Sequence, residues 1–131
     1  MQLTVTTIIF GLPTGQRISY VCLTLPTARL RVRELIAYKV HQEVAECLAH
    51  QRPGLSGEYL TPEALLLAAG PTASVMPGAV ADEIRRAQQA FAARAYMIVV
   101  DNRRIWTPDV ALTLHSRTQV EFIKILPLVG G

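Results

Sequence analysis

Histidine, serine and cysteine, the side chains that most often carry nucleophilic and acid–base catalysis, are few and scattered in this chain. His41, His50 and His115 are well separated, and none lies beside an acid or a cysteine at a ligand or catalytic spacing. The chain contains no phosphate-binding glycine loop, no HExxH motif and no GxSxG motif. We therefore expect a protein that is not an enzyme and holds no metal or cofactor of its own.

Two further sets of reactive side chains favour structural roles. Glu43 and Glu46 lie one turn apart on a predicted helix and could in principle form a carboxylate pair, but Lys39 lies four residues before Glu43. This spacing favours a solvent-facing ion pair. Cys22 and Cys47 lie in apolar stretches without a CxxC spacing, which predicts two buried free thiols rather than a disulfide or a metal pair.

The end of the chain offers a different kind of chemistry. Gly130 and Gly131 follow a predicted strand and a short apolar spacer. Two residues without side chains can thread through a narrow channel, so that the terminal carboxylate alone is presented to a nucleotide-activating enzyme. A carboxylate does not acylate amines unaided, so such a tail would be adenylated with ATP and then transferred through a thioester by partner enzymes. The alternative is an ordinary frayed terminus.

Composition bounds the class of protein. Half of the 131 residues are hydrophobic and 18% are charged, which predicts a folded single domain over 1–131. No apolar run approaches the roughly 18 residues that a membrane span needs, so a soluble, cytoplasmic protein with no membrane partner is expected. The net charge of +3 is dispersed, and Arg29, Arg31 and Arg33 alternate with apolar residues, which favours a solvated face over a nucleic-acid partner.

Hydrophobic periodicity predicts an α+β protein with a mixed sheet. The predicted strands are 3–10, 18–25, 96–100, 104–106 and 119–126, and the predicted helices are 32–51, 64–69 and 79–93. The first strand is expected to be buried at its apolar far end, and strand 96–100 to be covered on both faces. Leu112 and Leu114 are expected to insert a loop into the core. Residues 51–94 are expected to form a helical insertion before the third strand, and 127–131 a C-terminal tail.

This order of elements resembles the β-grasp fold of ubiquitin-like proteins. Residues 96–131 (YMIVVDNRRIWTPDVALTLHSRTQVEFIKILPLVGG) carry the closest likeness, since MIVVDNRRI resembles the strand–turn–strand after the helix in ubiquitin and in prokaryotic sulfur carriers. LTLHSRTQVEFIKILPLVGG resembles their core leucine, turn, last strand and diglycine tail. Residues 1–50 fit the opening hairpin and helix by pattern, whereas the insertion has no counterpart in a minimal β-grasp protein.

The resemblance implies roles for particular residues. Gly131 would carry the activated carboxyl group, and Gly130, which has no side chain, would let the tail pass through a narrow active-site channel. The activating enzyme and a peptidase would bind Leu128 and Val129. The candidates for an apolar recognition patch like that of ubiquitin are Ile98 and Val100 on the third strand of the sheet and Ile123 and Ile125 on the last. By this analogy, one member of each alternating set should face outward. The alternative for these four side chains is ordinary core packing.

The function that the resemblance implies is that of a protein modifier, conjugated through Gly131 to amines of target proteins. Its partners would be an activating enzyme, a conjugating enzyme, a deconjugating metallopeptidase and the targets, in a bacterial pathway of which some examples act in antiphage defence. Only Lys39 and Lys124 are lysines, so the chain offers at most two internal lysine acceptors.

Two other functions stay open at this stage. In a sulfur carrier, Gly131 would become a thiocarboxylate that donates sulfur, although the longer last strand before Pro127 is closer to ubiquitin than to those carriers. In a self-assembling β-grasp scaffold, the insertion and an exposed sheet edge would form homo-oligomers. If the native gene continues beyond Gly131, a processing peptidase must be added to the modifier scheme.

Overall fold

The computed structural model of the chain describes residues 1–12, 15–49 and 80–125. Two helices and seven strands lie in these ranges. The helices are α1 (Val32–Ala49) and α2 (Val80–Ala92). The strands are β1 (Gln2–Leu12), β2 (Gly15–Thr24), β3 (Arg29–Arg31), β4 (Met97–Val100), β5 (Arg103–Ile105), β6 (Ala111–Thr113) and β7 (Val120–Ile125).

Five of the strands form one mixed sheet in the order β2-β1-β7-β4-β5. The two inner strands β1 and β7 are parallel, and every other neighbouring pair is antiparallel. Asp101 and Asn102 connect β4 to β5 with positive φ angles of 47° and 66°, the conformation of a tight hairpin turn. The α+β class and the mixed sheet predicted from the sequence are therefore confirmed.

A second, two-stranded sheet was not predicted. Strands β3 and β6 pair in antiparallel register, with Leu30 opposite Leu112. Both leucines are buried, whereas Arg29 and Arg31 point to solvent as expected. Over three residues, the alternation of polar and apolar side chains does not distinguish a strand from a loop. Strand β3 forms because β6 supplies its hydrogen-bonding partner.

The helices cover one face of the five-stranded sheet. Alternate residues of β1 and β7, such as Val5 and Phe122, are fully buried beneath the helices, and the apolar stripe of α1 that includes Leu35 and Val40 packs onto them. Leu114 inserts into the same core, as the sequence predicts. Because every second residue of a strand faces the helices, the residues between them form the opposite, outer face of the sheet.

The start of α1 is fixed by contacts that lie far away in sequence. The backbone amides of Val32 and Arg33 donate to the carbonyl oxygens of Val110 and Pro108, each at 3.0 Å. The Glu34 carboxylate accepts from the Arg31 amide at 2.9 Å, which is the reciprocal half of a capping box. These bonds satisfy the first amides of the helix, although the sequence has no good capping residue directly before Val32.

The polar pair predicted to face solvent on α1 is buried instead. Lys39 and Glu43 form an ion pair inside the protein, and the Lys39 Nζ lies 4.7 Å from the centre of the Phe122 ring on β7. Glu46 is exposed and accepts a hydrogen bond from the Gln42 side chain at 3.1 Å. The solvent-facing interpretation was wrong because the long Lys39 side chain bridges from the helix to the sheet.

The predicted third helix is present as α2, and a polar network ties its end to the sheet. The Tyr96 hydroxyl donates to the Ala87 carbonyl oxygen at 2.6 Å, and the Tyr96 ring stacks on Phe122 with centroids 5.7 Å apart. The Lys124 Nζ donates to the carbonyl oxygen of Ala95 at 2.8 Å in the turn between α2 and β4. The predicted short helix over 64–69 and most of the insertion lie outside the described residues.

Candidate functional site

The residues predicted to carry the function divide into two groups. The tail residues Leu128, Val129, Gly130 and Gly131 lie outside the described part of the chain. The four residues predicted for a recognition patch are described, and the sheet separates them. Ile98 and Val100 face the helices and are buried, so they belong to the core, whereas Ile123 and Ile125 lie on the outer face.

Strand β7 holds the point from which the chain continues toward its predicted tail. It lies between β1 and β4 and hydrogen-bonds to both, so both of its backbone edges are paired. Ile125 is its last residue and lies opposite Phe10 of β1. These two outward side chains are 60% and 37% exposed. The pairing with β4 covers 120–123, and the pairing with β1 continues to Ile125, so the chain leaves the sheet from the side of β1, beside two exposed apolar side chains.

An apolar row crosses the outer face next to this exit. The strand registers place Ile18 of β2 opposite Ile8, Ile8 opposite Ile123, and Ile123 opposite Met97 of β4. Ile18 is 43% exposed and the other three are half-buried. We name these four residues together with Phe10 and Ile125 the outer patch. Its six side chains come from four adjacent strands.

Polar and charged groups surround the outer patch. On one side lies a cleft of about 360 Å³ that includes Thr4, Thr6, Tyr20 and Glu121. At the other edge of the sheet, the Arg104 guanidinium stacks 3.8 Å from the centre of the half-exposed Trp106 ring. An apolar centre with a rim of hydroxyls, arginine and aromatic side chains has the composition of a protein-binding surface.

Among the described residues, no group of three His, Cys, Asp or Glu side chains could hold a metal ion. His41 lies on the helical side, in an open cleft with Glu34, Tyr38 and Ile84, away from the outer patch. Cys22 is a free, exposed thiol, so the prediction that it is buried was wrong, and the Cys47 side chain lies outside the described residues. The arrangement favours recognition by another macromolecule.

Neither described helix is long and apolar enough to cross a membrane. No protein-family model matches the chain, and no curated protein or solved structure is significantly similar to it. The functional argument therefore depends on the topology of the sheet, its surface and the sequence that follows β7.

Sequence reasoning missed four members of the outer patch: Ile8, Phe10, Ile18 and Met97. The apolar end of β1 was predicted to be buried, and β4 to be covered on both faces, but the outer side chains of both strands are partly open to solvent. The run Ile8-Ile9-Phe10 indicates an exposed apolar surface. Successive side chains of a strand point to opposite faces, so a strand that is covered on one face can bury only Ile9 of these three.

Two of the predicted patch residues give a matched test of the two faces. Ile98→Asp places a carboxylate at a position with 0% exposure, and we expect it to lower the free energy of unfolding by about 4 kcal/mol or more. Ile125→Asp, on the exposed end of β7, is expected to cost about 0.5 kcal/mol or less. Urea unfolding followed by circular dichroism measures both. Equal losses would contradict the assignment of the faces.

Proposed function

We propose that this chain is a ubiquitin-like protein modifier of the β-grasp fold, not itself an enzyme. A partner activating enzyme adenylates the Gly131 carboxylate with ATP, and partner enzymes transfer it to amines of target proteins. The order of elements supports the fold: an opening hairpin, a helix across the sheet, and a last strand that runs parallel to the first between β1 and β4. Helix α2 is an addition to this arrangement.

The observation that carries the proposal is the position of the last strand. Six residues follow Ile125 up to and including Gly131, and a chain of that length spans up to about 20 Å when extended. Because 120–123 of β7 are paired on both edges and Ile125 is still paired with Phe10 of β1, the end of β7 is a firm base from which such a tail reaches an active site outside the protein. Gly130 and Gly131 then suit the narrowest part of that site, since neither has a side chain.

The outer patch supports the same proposal from the surface of the fold. An enzyme that accepts the tail must also recognise the protein from which it comes. The patch begins beside the exit, at Ile125 and Phe10, and extends across four strands. Contiguous exposed apolar surface of this kind marks interaction sites on soluble proteins. We assign the patch to recognition by the activating enzyme and the deconjugating peptidase.

A sulfur carrier is the second candidate, because a tail leaving from the same paired strand serves a thiocarboxylate equally well. Both functions begin with the same adenylate at Gly131. They differ in what attacks it, since a sulfur donor gives a thiocarboxylate and a conjugating pathway gives an amide.

Intact-protein mass spectrometry separates the candidates. The chain is incubated with ATP and a lysate of the cells that carry its gene, which would supply the proposed activating enzyme. A product heavier by a whole target protein supports the modifier, and the mass gain of one sulfur-for-oxygen exchange supports the carrier. A variant lacking Gly130 and Gly131 is the control, and it should give neither product. Self-assembly that persists in this variant, with no ATP-dependent product from either protein, would support the scaffold and contradict the proposal.

A further inference from the structure

The amino groups of this chain are unusual in number and placement. Lys39 and Lys124 are its only lysines, against eleven arginines, and both lie in the described residues. We infer that neither lysine accepts an acyl group while the protein is folded. This inference rests on the proposed function, and it adds that lysine-linked chains do not grow on a copy that is already attached to a target.

The chemistry of chain growth sets two requirements for an acceptor. The lysine nitrogen must be unprotonated, and it must reach the carbonyl carbon of the incoming thioester. Its lone pair then forms the new C–N bond, the C–S bond breaks, and the nitrogen proton passes to the departing thiolate. An ammonium nitrogen that is paired with a carboxylate inside the protein meets neither requirement.

Lys39 fails both requirements because of its position in the core. Its side chain is 0% exposed, and its Nζ donates to the buried Glu43 carboxylate. The ring of Phe122 lies 4.7 Å from the same nitrogen, between the helix and the sheet. While paired in this way, the nitrogen is an ammonium group without a lone pair, and no active site can approach it unless α1 separates from β7.

Lys124 is held by a different contact. Its Nζ is part-buried and donates at 2.8 Å to the Ala95 carbonyl oxygen, which ties the end of β7 to the turn after α2. Acylation removes the charge of this nitrogen, so the reaction replaces a charge-assisted hydrogen bond with, at most, the weaker one of a neutral amide. The exposed cations are supplied instead by arginines such as Arg29, Arg31 and Arg117, whose guanidinium groups are poor acyl acceptors.

Chemical acetylation tests this inference without any partner enzyme. The folded protein and an Arg117→Lys variant are treated with the N-hydroxysuccinimide ester of acetic acid, and modified sites are quantified by peptide mass spectrometry. Arg117 is exposed, so the introduced amine is the matched control. We expect it to react about 100-fold faster than Lys39 and about tenfold faster than Lys124, because the native amines must first be released. In denaturing urea all three should react at similar rates.

Two results would overturn the inference. The first is acetylation of Lys39 or Lys124 in the folded protein within about threefold of the control amine. The second is an ATP-dependent dimer whose peptide map shows Gly131 joined to Lys39 or Lys124, which would leave the proposed function intact. Absence of every ATP-dependent product would instead contradict the proposed function, and the acetylation rates would still decide the state of the two amines.

Discussion

The Lys39→Met variant is expected to lose about 3–5 kcal/mol of its free energy of unfolding, a large part of the stability of an ordinary domain. Methionine keeps much of the apolar stem that contacts Phe122 but removes the ammonium group. The buried Glu43 carboxylate then loses the charge that pairs with it in a medium that solvates ions poorly. Urea unfolding at neutral pH, monitored by circular dichroism, gives the difference.

Two controls separate this effect from lost packing. The double variant Lys39→Met/Glu43→Leu removes both charges and is expected to unfold within about 1 kcal/mol of the parent protein, or to be more stable. Arg85→Met breaks the exposed ion pair with Asp82 and is expected to cost about 0.5 kcal/mol or less. A loss in Lys39→Met no larger than that in Arg85→Met would contradict the buried-pair assignment.

Removal of Gly131 is expected to reduce ATP-dependent activation by about 100-fold or more. In the proposed reaction, a carboxylate oxygen attacks the α-phosphorus of ATP and pyrophosphate leaves. Without Gly131 the terminal carboxylate ends about 3.5 Å short of its place, and misplacement by even 1 Å can cost about 100-fold in rate. Pyrophosphate exchange with the activating enzyme measures the loss.

The control for this prediction is Arg117→Ala, an exposed change in the turn before β7 that leaves the tail intact. It should exchange pyrophosphate at the rate of the parent protein. If the protein without Gly131 also exchanges within about twofold of the parent, the carboxylate of Gly131 is not the reacting group and the account fails.

Most of the fold could be predicted because its signals are local. Alternation in β1 and β2 and the 3.6-residue stripe of α1 arise from burial on one side of each element, and the Asp101-Asn102 turn comes from residues that tolerate positive φ. Strand β3 and the hydrogen bonds that fix the start of α1 were missed for the opposite reason, although the start of the helix at Val32 was predicted correctly. Each is completed by residues about 75 to 85 positions later in the chain.

The candidate site was harder to predict than the fold. Periodicity places Ile98 and Ile123 on strands but does not say which face of the sheet the helices cover, so two residues of the predicted patch are in the core. Periodicity also counts every lysine as polar and therefore places Lys39 at the surface. In the structure Lys39 lies in the core, where a carboxylate and an aromatic ring offset the free-energy cost of burying its charge. The tail prediction depends on residues outside the described ranges.

Peptide mapping of conjugates tests the central claim most directly. Trypsin cleaves after Lys124, so a target lysine joined to Gly131 would keep the branch Ile-Leu-Pro-Leu-Val-Gly-Gly (residues 125–131). Tagged protein is purified from cells that carry the native gene and its neighbours, digested and searched for this branch. The account predicts the branch on lysines of other proteins and its loss when Gly131 is deleted. Recovery of Gly131 only as a free carboxylate or a thiocarboxylate would contradict it.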